Sequence, residues 1–322
     1  MIKTVLTETW WCTYPIVNAP MTPAATGVLA RTVSEAGGFG MIGVNETWTA
    51  DDIRGECEIA RENDSSLRFG IGFVGWVLEQ NPGLLDVAIE LKPFLISISF
   101  IDVAPYARKV HDAGILLAAQ VQTRRDAEAA LHGGVDVLVA QGTEAGGHTG
   151  DVSTLTILQI ALATSDKPVI AAGGIATSQG LAAVLAAGAA GAWIGTPFLL
   201  AKEANVADAA RERIMASAET DTVLTALFDR VQGFPWPERF KGRVLRNHLT
   251  DEWHGREAAA CSDSWVPSAL QAAKANNDFR IANVYAGQSV GLISGPCSAA
   301  ELVQGLGDGA ERILRERFAR LL

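Results

Sequence analysis

The chain is poor in the residues that would tie it to a disulfide framework, a structural metal or a polyanion. Its four cysteines, Cys12, Cys57, Cys261 and Cys297, lie far apart with no C-x-x-C pair, so neither disulfides nor a zinc site is indicated and a reduced, cytoplasmic setting is expected. Lysine and arginine total 26 against 36 acidic residues, a formal charge of -10 with no basic run, which argues against nucleic acid or an anionic membrane as partner. The opening MIKTVLTETWWCTYP lacks the apolar core of a signal peptide. There is no Walker pattern and no G-x-S-x-G elbow, so neither a nucleoside triphosphate nor a serine hydrolase is indicated, although Ser97, Ser99 and Asp102 lie close in sequence. A long uncharged run does occur, from Pro168 to Ala201. It is broken by glycines and Pro197 into strand-like and helix-like pieces, which disfavours a membrane span.

What is present is a rhythm. Short β-rich runs recur at YPIVNAPM (14–21), FGMIGV (39–44), RFGIGFVG (68–75), FLISISF (94–100), ILLAAQV (115–121), VDVLVAQG (135–142), PVIAAGG (168–174) and GAWIGT (191–196). Between them lie segments with helical apolar spacing, such as VLARTVSEAGG, TRRDAEAALHGG and TSQGLAAVLAAG, several ending on glycine. Strands alternating with helices predict a parallel sheet, because parallel neighbours need a crossover connection. Eight such units in the first 202 of 322 residues predict an α/β chain folded as a (β/α)8 TIM barrel. The least regular units are the third helix, broken by NPG at Asn81, and the short connection after FLISISF.

After Lys202 the pattern changes. Residues 203–232 read as helical, GFPWPERFKGRVLRNHLTDEWHG as polar, aromatic and turn-rich, and helices resume from about Ser264 to Ala275 and from Ser298 to Leu322. The expectation is a barrel of residues 1–202 plus part of the C-terminal region, with 203–322 as a mainly helical subdomain packed on it.

Barrel enzymes place their chemistry at the C-terminal ends of the strands, and phosphate commonly binds after the seventh and eighth. At those ends stand Asn18, Ala19, Pro20 and Met21, then Gln120 and Gln122, then QGTEAGGH, AAGGI and IGTPF. Gly173, Gly174, Gly195 and Thr196 would let backbone amides and a hydroxyl approach a phosphate. His148, in a glycine loop at the mouth of the sixth strand, is the candidate base. Glu144 would orient it or, the preferred reading, face water. His111 and His132 sit in helical stretches as surface residues, while His248 and His254 have no metal-ligand spacing, so no metal site is expected.

PIVNAPM, SEAGGFGMIG, AQGTEAGGHTG, the run from PVIAAGGIATSQG to WIGTPFLLAKEA, and YAGQSVGLI together make the chain resemble the nitronate monooxygenase family, formerly the 2-nitropropane dioxygenases, which are FMN-dependent (β/α)8 barrels. The resemblance implies FMN as cofactor and a nitronate and O2 as reactants, giving a carbonyl compound and nitrite. It puts the base that takes the α-proton of a neutral nitroalkane on His148. It lays backbone at Ala19, Pro20 and Met21 along the flavin ring and sets Gln120 near the isoalloxazine. Gln141, Gly142, Gly146 and Gly147 would line the cofactor, Gly173, Gly174, Gly195 and Thr196 would hold the phosphate, and Tyr285 matches a substrate-pocket tyrosine of one branch. Many relatives carry an asparagine at the end of the third strand where this chain has Gly72. Reductases that use NAD(P)H on enoyl-acyl-carrier-protein or quinone substrates share the barrel and the EAGGH loop, and form the alternative; a non-catalytic flavin- or phosphate-binding protein is a third reading. The GFPWPERF segment is expected either to lid the pocket or to face a second copy in a homodimer.

Overall fold

The chain forms eleven strands among residues 1–318, the residues described by the computed structural model, and those of the main sheet are largely runs of small and branched apolar residues covered on both faces. They are β1 (Ile16–Asn18), β2 (Gly40–Gly43), β3 (Phe69–Val74), β4 (Leu95–Ser99), β5 (Leu116–Val121), β6 (Val137–Gln141), β7 (Gly147–Thr149), β8 (Val169–Ala172), β9 (Gly191–Ile194), β10 (Thr222–Thr225) and β11 (Lys241–Leu245). Eight of them pair in parallel in the order β1-β9-β8-β6-β5-β4-β3-β2. The ends of that order meet through a parallel bridge between Val17 and Phe39, with Phe39 N–H donating to Ile16 O at 2.8 Å, so the sheet closes into a barrel. The Asn18 side chain reinforces the seam: its Oδ1 accepts from Met41 N–H at 2.8 Å and its Nδ2 donates to Met41 O at 2.9 Å.

The N-terminal end of the barrel is plugged. Leu6, on the short helix Val5–Thr9, packs with Trp10, Val17, Phe39, Met41 and Trp193 inside the strands, and Trp10, Phe39 and Phe94 meet with ring centroids 4.8–5.8 Å apart. Chemistry is left to the other end.

The eight strand runs read from sequence are the barrel strands. The NPG break divides the third helical unit into Gly75–Gln80 and Gly83–Glu90, and Asp102 Oδ1 accepts from Ala104 N–H at 3.0 Å to start the helix after β4. The uncharged stretch from Pro168 contains β8, the helix Ser178–Ala186, β9 and a 3-10 turn at Thr196–Leu200; no helix among the described residues is long and apolar enough to cross a membrane.

Beyond Lys202 the described chain is mainly helical, as expected, but it also carries two strands that the sequence reading did not anticipate. Residues 203–232 contain the helix Asp208–Met215, strand β10 and the helix Leu227–Gln232, and the polar stretch after them carries β11. β10 and β11 are antiparallel, and β11 also pairs with β7, placing a three-stranded sheet over the barrel mouth. A four- or five-residue strand has little local signature, and its partner here lies far away in sequence, so pairing rather than propensity decides it. Helices His248–Trp253, Glu257–Ser262 and Val266–Ala275 follow, around a core of Val223, Leu227, Phe228, Val244 and Leu270. The helix Ala299–Phe318 packs against Ser178–Ala186 and Gly27–Glu35, in the ring around the barrel; the expected continuation to Leu322 lies outside the described residues.

Candidate active site

The glycine loop after β6 is shaped by close approaches. A Cβ on Gly142 would lie 2.1 Å from Thr154 Oγ1, so only glycine lets the strand end pass the start of helix Thr154–Thr164. Gly147 has φ of +75°, the left-handed region that glycine enters without strain, and it turns the chain back into β7. His148 therefore sits on a short strand, opposite Gly242 of β11. Gly242 has its own reason: a Cβ there would lie 2.8 Å from the Tyr285 ring and 3.5 Å from His148 Nε2.

Around His148 the environment is tight and nearly dry. Its Nε2 lies 2.9 Å from Asp229 Oδ2, with side-chain exposures of only 9% and 5%. Trp236 stacks on one face of the imidazole at 3.4 Å between centroids and 7° between planes, and Tyr285 lies 5.5 Å away at a tilt. Phe234 stacks on Trp76, and Trp236 meets Phe100 edge-on, so the GFPWPERF segment forms an aromatic wall of the pocket. Gln141 holds the histidine backbone, donating from Nε2 to His148 O at 3.1 Å while its Oε1 accepts from the buried Gln122 at 2.7 Å. Burial first, then the negative charges of Asp229 and Glu46, push the Tyr285 phenol well above its ordinary pKa.

A cavity of about 810 Å³ opens at the C-terminal ends of the strands. Every site residue expected from sequence lines it except Gly142, which is buried against Thr154 instead: Ala19, Pro20, Met21, Gln120, Gln141, Gly146, Gly147, His148, Gly173, Gly174, Gly195, Thr196 and Tyr285 all face it. Beyond β8, Gly173 and Gly174 have φ of +101° and +72°. Their backbone N–H groups, and that of Gly195 after β9, donate to no protein acceptor among the described residues. Unpaired amides at strand ends that lead into helices suit a phosphate. Thr196 Oγ1 accepts from Gly287 N–H at 2.9 Å and so keeps its own proton for a further acceptor.

One expectation is corrected here and others hold. Glu144 neither orients His148 nor simply faces water: its Oε2 accepts from Thr154 N–H and from Thr154 Oγ1, each at 2.8 Å, at the positive end of a helix. Ser99 Oγ accepts from Gln120 N–H at 3.2 Å and Asp102 Oδ1 accepts from Ala104 N–H, so they form no nucleophile–base pair. His111 pairs with Asp136 and His132 with the Glu128 carbonyl, on the surface. Two neighbours of His148 escaped the sequence reading, Asp229 and the contact with Trp236. The available signal for Asp229 was an acidic residue beside Leu227 and Phe228 on a short apolar helix, both of which are fully buried.

With this geometry in view, comparison with known proteins becomes informative. The sequence profile of the nitronate monooxygenase family matches residues 80–309. A nitronate monooxygenase of Metarhizium robertsii is 30% identical over 351 aligned positions that cover 97% of this chain and 95% of that one. The chain belongs to the nitronate monooxygenase family. A Mycobacterium tuberculosis protein described as a monooxygenase is 38% identical over 172 residues, 53% of this chain and under half, 44%, of its own length. Among solved structures, FabK from Thermotoga maritima superposes with a TM-score of 0.87 at 26% identity over 99% of this chain and all of that one. A nitroalkane oxidase from Streptomyces ansochromogenes gives 0.83 at 25% identity over 96% and 99%. As a member of the nitronate monooxygenase family the protein is an oxidoreductase built on a TIM barrel. Its Gly72 has a local cause: a Cβ there would lie 2.4 Å from the Pro20 ring, so a side chain at this point requires the turn at Pro20 to shift.

Proposed function

We propose that this protein is an FMN-dependent nitronate monooxygenase, oxidising alkyl nitronates and their parent nitroalkanes with O2 to carbonyl compounds and nitrite. The observation that carries the reading is His148, an almost dry imidazole braced by Asp229 and Trp236 at the mouth of a barrel where the ends of the neighbouring strands β8 and β9 form an amide cradle. The cradle fits the FMN phosphate: unpaired N–H groups of Gly173, Gly174 and Gly195 would donate to it, with the Thr196 hydroxyl. Ala19, Pro20 and Met21 would run along the ring, with Gln141, Gly146 and Gly147 as the wall beside it. The Gln120 side chain has no protein partner among the described residues and would meet a polar edge of the isoalloxazine. When bound, FMN supplies the acceptor for an electron taken from the nitronate.

The protein's own groups do the rest. His148 removes the α-proton of a neutral nitroalkane, and the C–H electron pair moves onto the nitro oxygens; a preformed nitronate needs no such step. The Tyr285 phenol, kept protonated at neutral pH by burial and by the charge of Asp229, would flank the substrate beside His148. Trp76, Phe234 and Trp236 exclude water from one side of the reacting carbon.

A second reading, reduction of an enoyl thioester or quinone by NAD(P)H, draws on the size of the cavity. About 810 Å³ lies high in the range of about 300–1,000 Å³ for ligand pockets, which leaves room for a large second reactant beside a flavin. Anaerobic addition of a nitronate, and separately of NADH or NADPH, to the flavin-loaded protein separates the two. Loss of flavin absorbance with the nitronate supports the monooxygenase; loss with a nicotinamide alone assigns the reductase.

A further inference from the structure

We infer that Asp229 is the positioning residue that decides which nitrogen of His148 is the base, holding the ring as its Nε2–H form and leaving Nδ1 to accept the proton. The inference rests on the reading of His148 as the base and adds a residue to it that lies 81 positions away in the chain.

The donor and acceptor chemistry allows one assignment. A carboxylate only accepts hydrogen bonds, so the 2.9 Å contact with Asp229 Oδ2 places the hydrogen of a neutral imidazole on Nε2. Nδ1 then carries the lone pair. It has no hydrogen-bond partner among the described residues and is not sealed from solvent as Asp229 Oδ1 is, in a residue that lines the cavity.

The ring is also prevented from turning over. Trp236 lies flat on it at 3.4 Å, Tyr285 flanks it, and the backbone of His148 is fixed on both sides, by pairing with β11 and by the Gln141 amide on its carbonyl. A half-turn about the ring axis would break the Asp229 contact inside a pair that is more than nine-tenths buried.

Placing a carboxylate beside Leu227 and Phe228 is unfavourable for stability, and its Oδ1 lacks a hydrogen-bond partner. The placement is explained by the reaction. When the α-proton moves to Nδ1, the C–H electron pair stays with the substrate, the ring becomes an imidazolium, and the negative charge of Asp229 offsets it in a dry setting. The proton leaves to solvent after product release, restoring the neutral ring with Nε2–H.

Two experiments test this on the flavin-loaded, full-length protein. In protein labelled with ¹⁵N-histidine, with His148→Asn used to assign the signals, the neutral His148 ring is expected to show a protonated Nε2 and an unprotonated Nδ1. A neutral ring protonated at Nδ1 overturns the inference, whatever the activity, and needs no Asp229 variant to fold. In kinetics, Asp229→Asn and Asp229→Ala are expected to lose about 10²- to 10⁴-fold on a neutral nitroalkane, at least tenfold more than on the preformed nitronate, with Asp229→Glu recovering part of the loss. Equal losses on both substrates assign Asp229 a purely structural role and overturn the inference. If His148→Asn is selective for the neutral substrate and the Asp229 variants are not, this inference alone fails; if His148→Asn also loses both equally, the reading of His148 as base fails.

Discussion

Gly146 of the glycine loop and Gly287 of the C-terminal YAGQ block meet backbone to backbone. A Cβ on Gly146 would lie 2.6 Å from Gly287 N, and one on Gly287 would lie 2.8 Å from Gly146 N. The Gln288 N–H donates to Glu144 O at 2.9 Å across the same contact, and Gly287 N–H reaches Thr196. These two glycines dock the segment bearing Tyr285 onto the loop bearing His148.

Gly146→Ala and Gly287→Ala should therefore each destabilise the fold by about 1–3 kcal/mol, the usual cost of forcing extra volume into packed structure. Thermal melts of the two variants check this, and flavin content should fall along with stability, since the proposed phosphate cradle is tied to the same contact through Thr196.

Gly72→Asn installs the residue that many relatives carry there, but with a Cβ 2.4 Å from Pro20. A proline ring cannot rotate away as a flexible chain end would. The expected result is weaker flavin binding and a lower melting temperature; tighter binding, measured by fluorescence titration of FMN, would show that the turn can yield.

His148→Asn keeps the size of the group near the cavity and removes the proposed base. Turnover of a neutral nitroalkane should drop by about 10²- to 10⁴-fold, and FMN should still bind. Steady-state kinetics with the nitroalkane and its preformed nitronate at one pH read the difference.

Alkaline stability follows from three buried acids. Burial raises the Cys12 and Cys57 thiols from 9.0 to about 12, and raises the Tyr285 phenol well above 10.0 with help from the charge of Asp229. Each binds its proton more tightly folded than unfolded. Their contribution is complete below the unfolded values and is lost as pH climbs from about 9 toward 12. Melting temperatures should fall through that window, and Tyr285→Phe should remove the part of the fall that begins near pH 10.

The same burial ranks the thiols by reactivity. Cys261 is exposed and Cys297 half-buried, whereas Cys12 and Cys57 are buried. A maleimide at neutral pH should label Cys261 first and Cys297 more slowly, with the other two reacting only after denaturation; mass spectrometry of tryptic peptides gives the order.

Most of the barrel was legible in the sequence because its signals are short-ranged. Buried parallel strands such as VLVA and VIAA are uniformly apolar, the helices between them repeat every three or four residues, and glycines punctuate the ends. The same local grammar exposed the amide cradle at Gly173, Gly174 and Gly195 and the histidine in its loop. It missed that Gly142, read as lining the cofactor, and Glu144, read as facing water, both meet the start of helix Thr154–Thr164.

By itself, then, the sequence determined the barrel, its open end and the residues brought to it by strand ends. Only the tertiary structure decided the surroundings of His148. The strands β10 and β11, the stack of Trp236 and the carboxylate of Asp229 come from segments more than 70 residues further along the chain. No periodicity couples positions so far apart. They meet because the C-terminal segment gains more by pairing with the exposed edge of β7 and burying Leu227, Phe228 and Val244 than it would by remaining a separate bundle of helices.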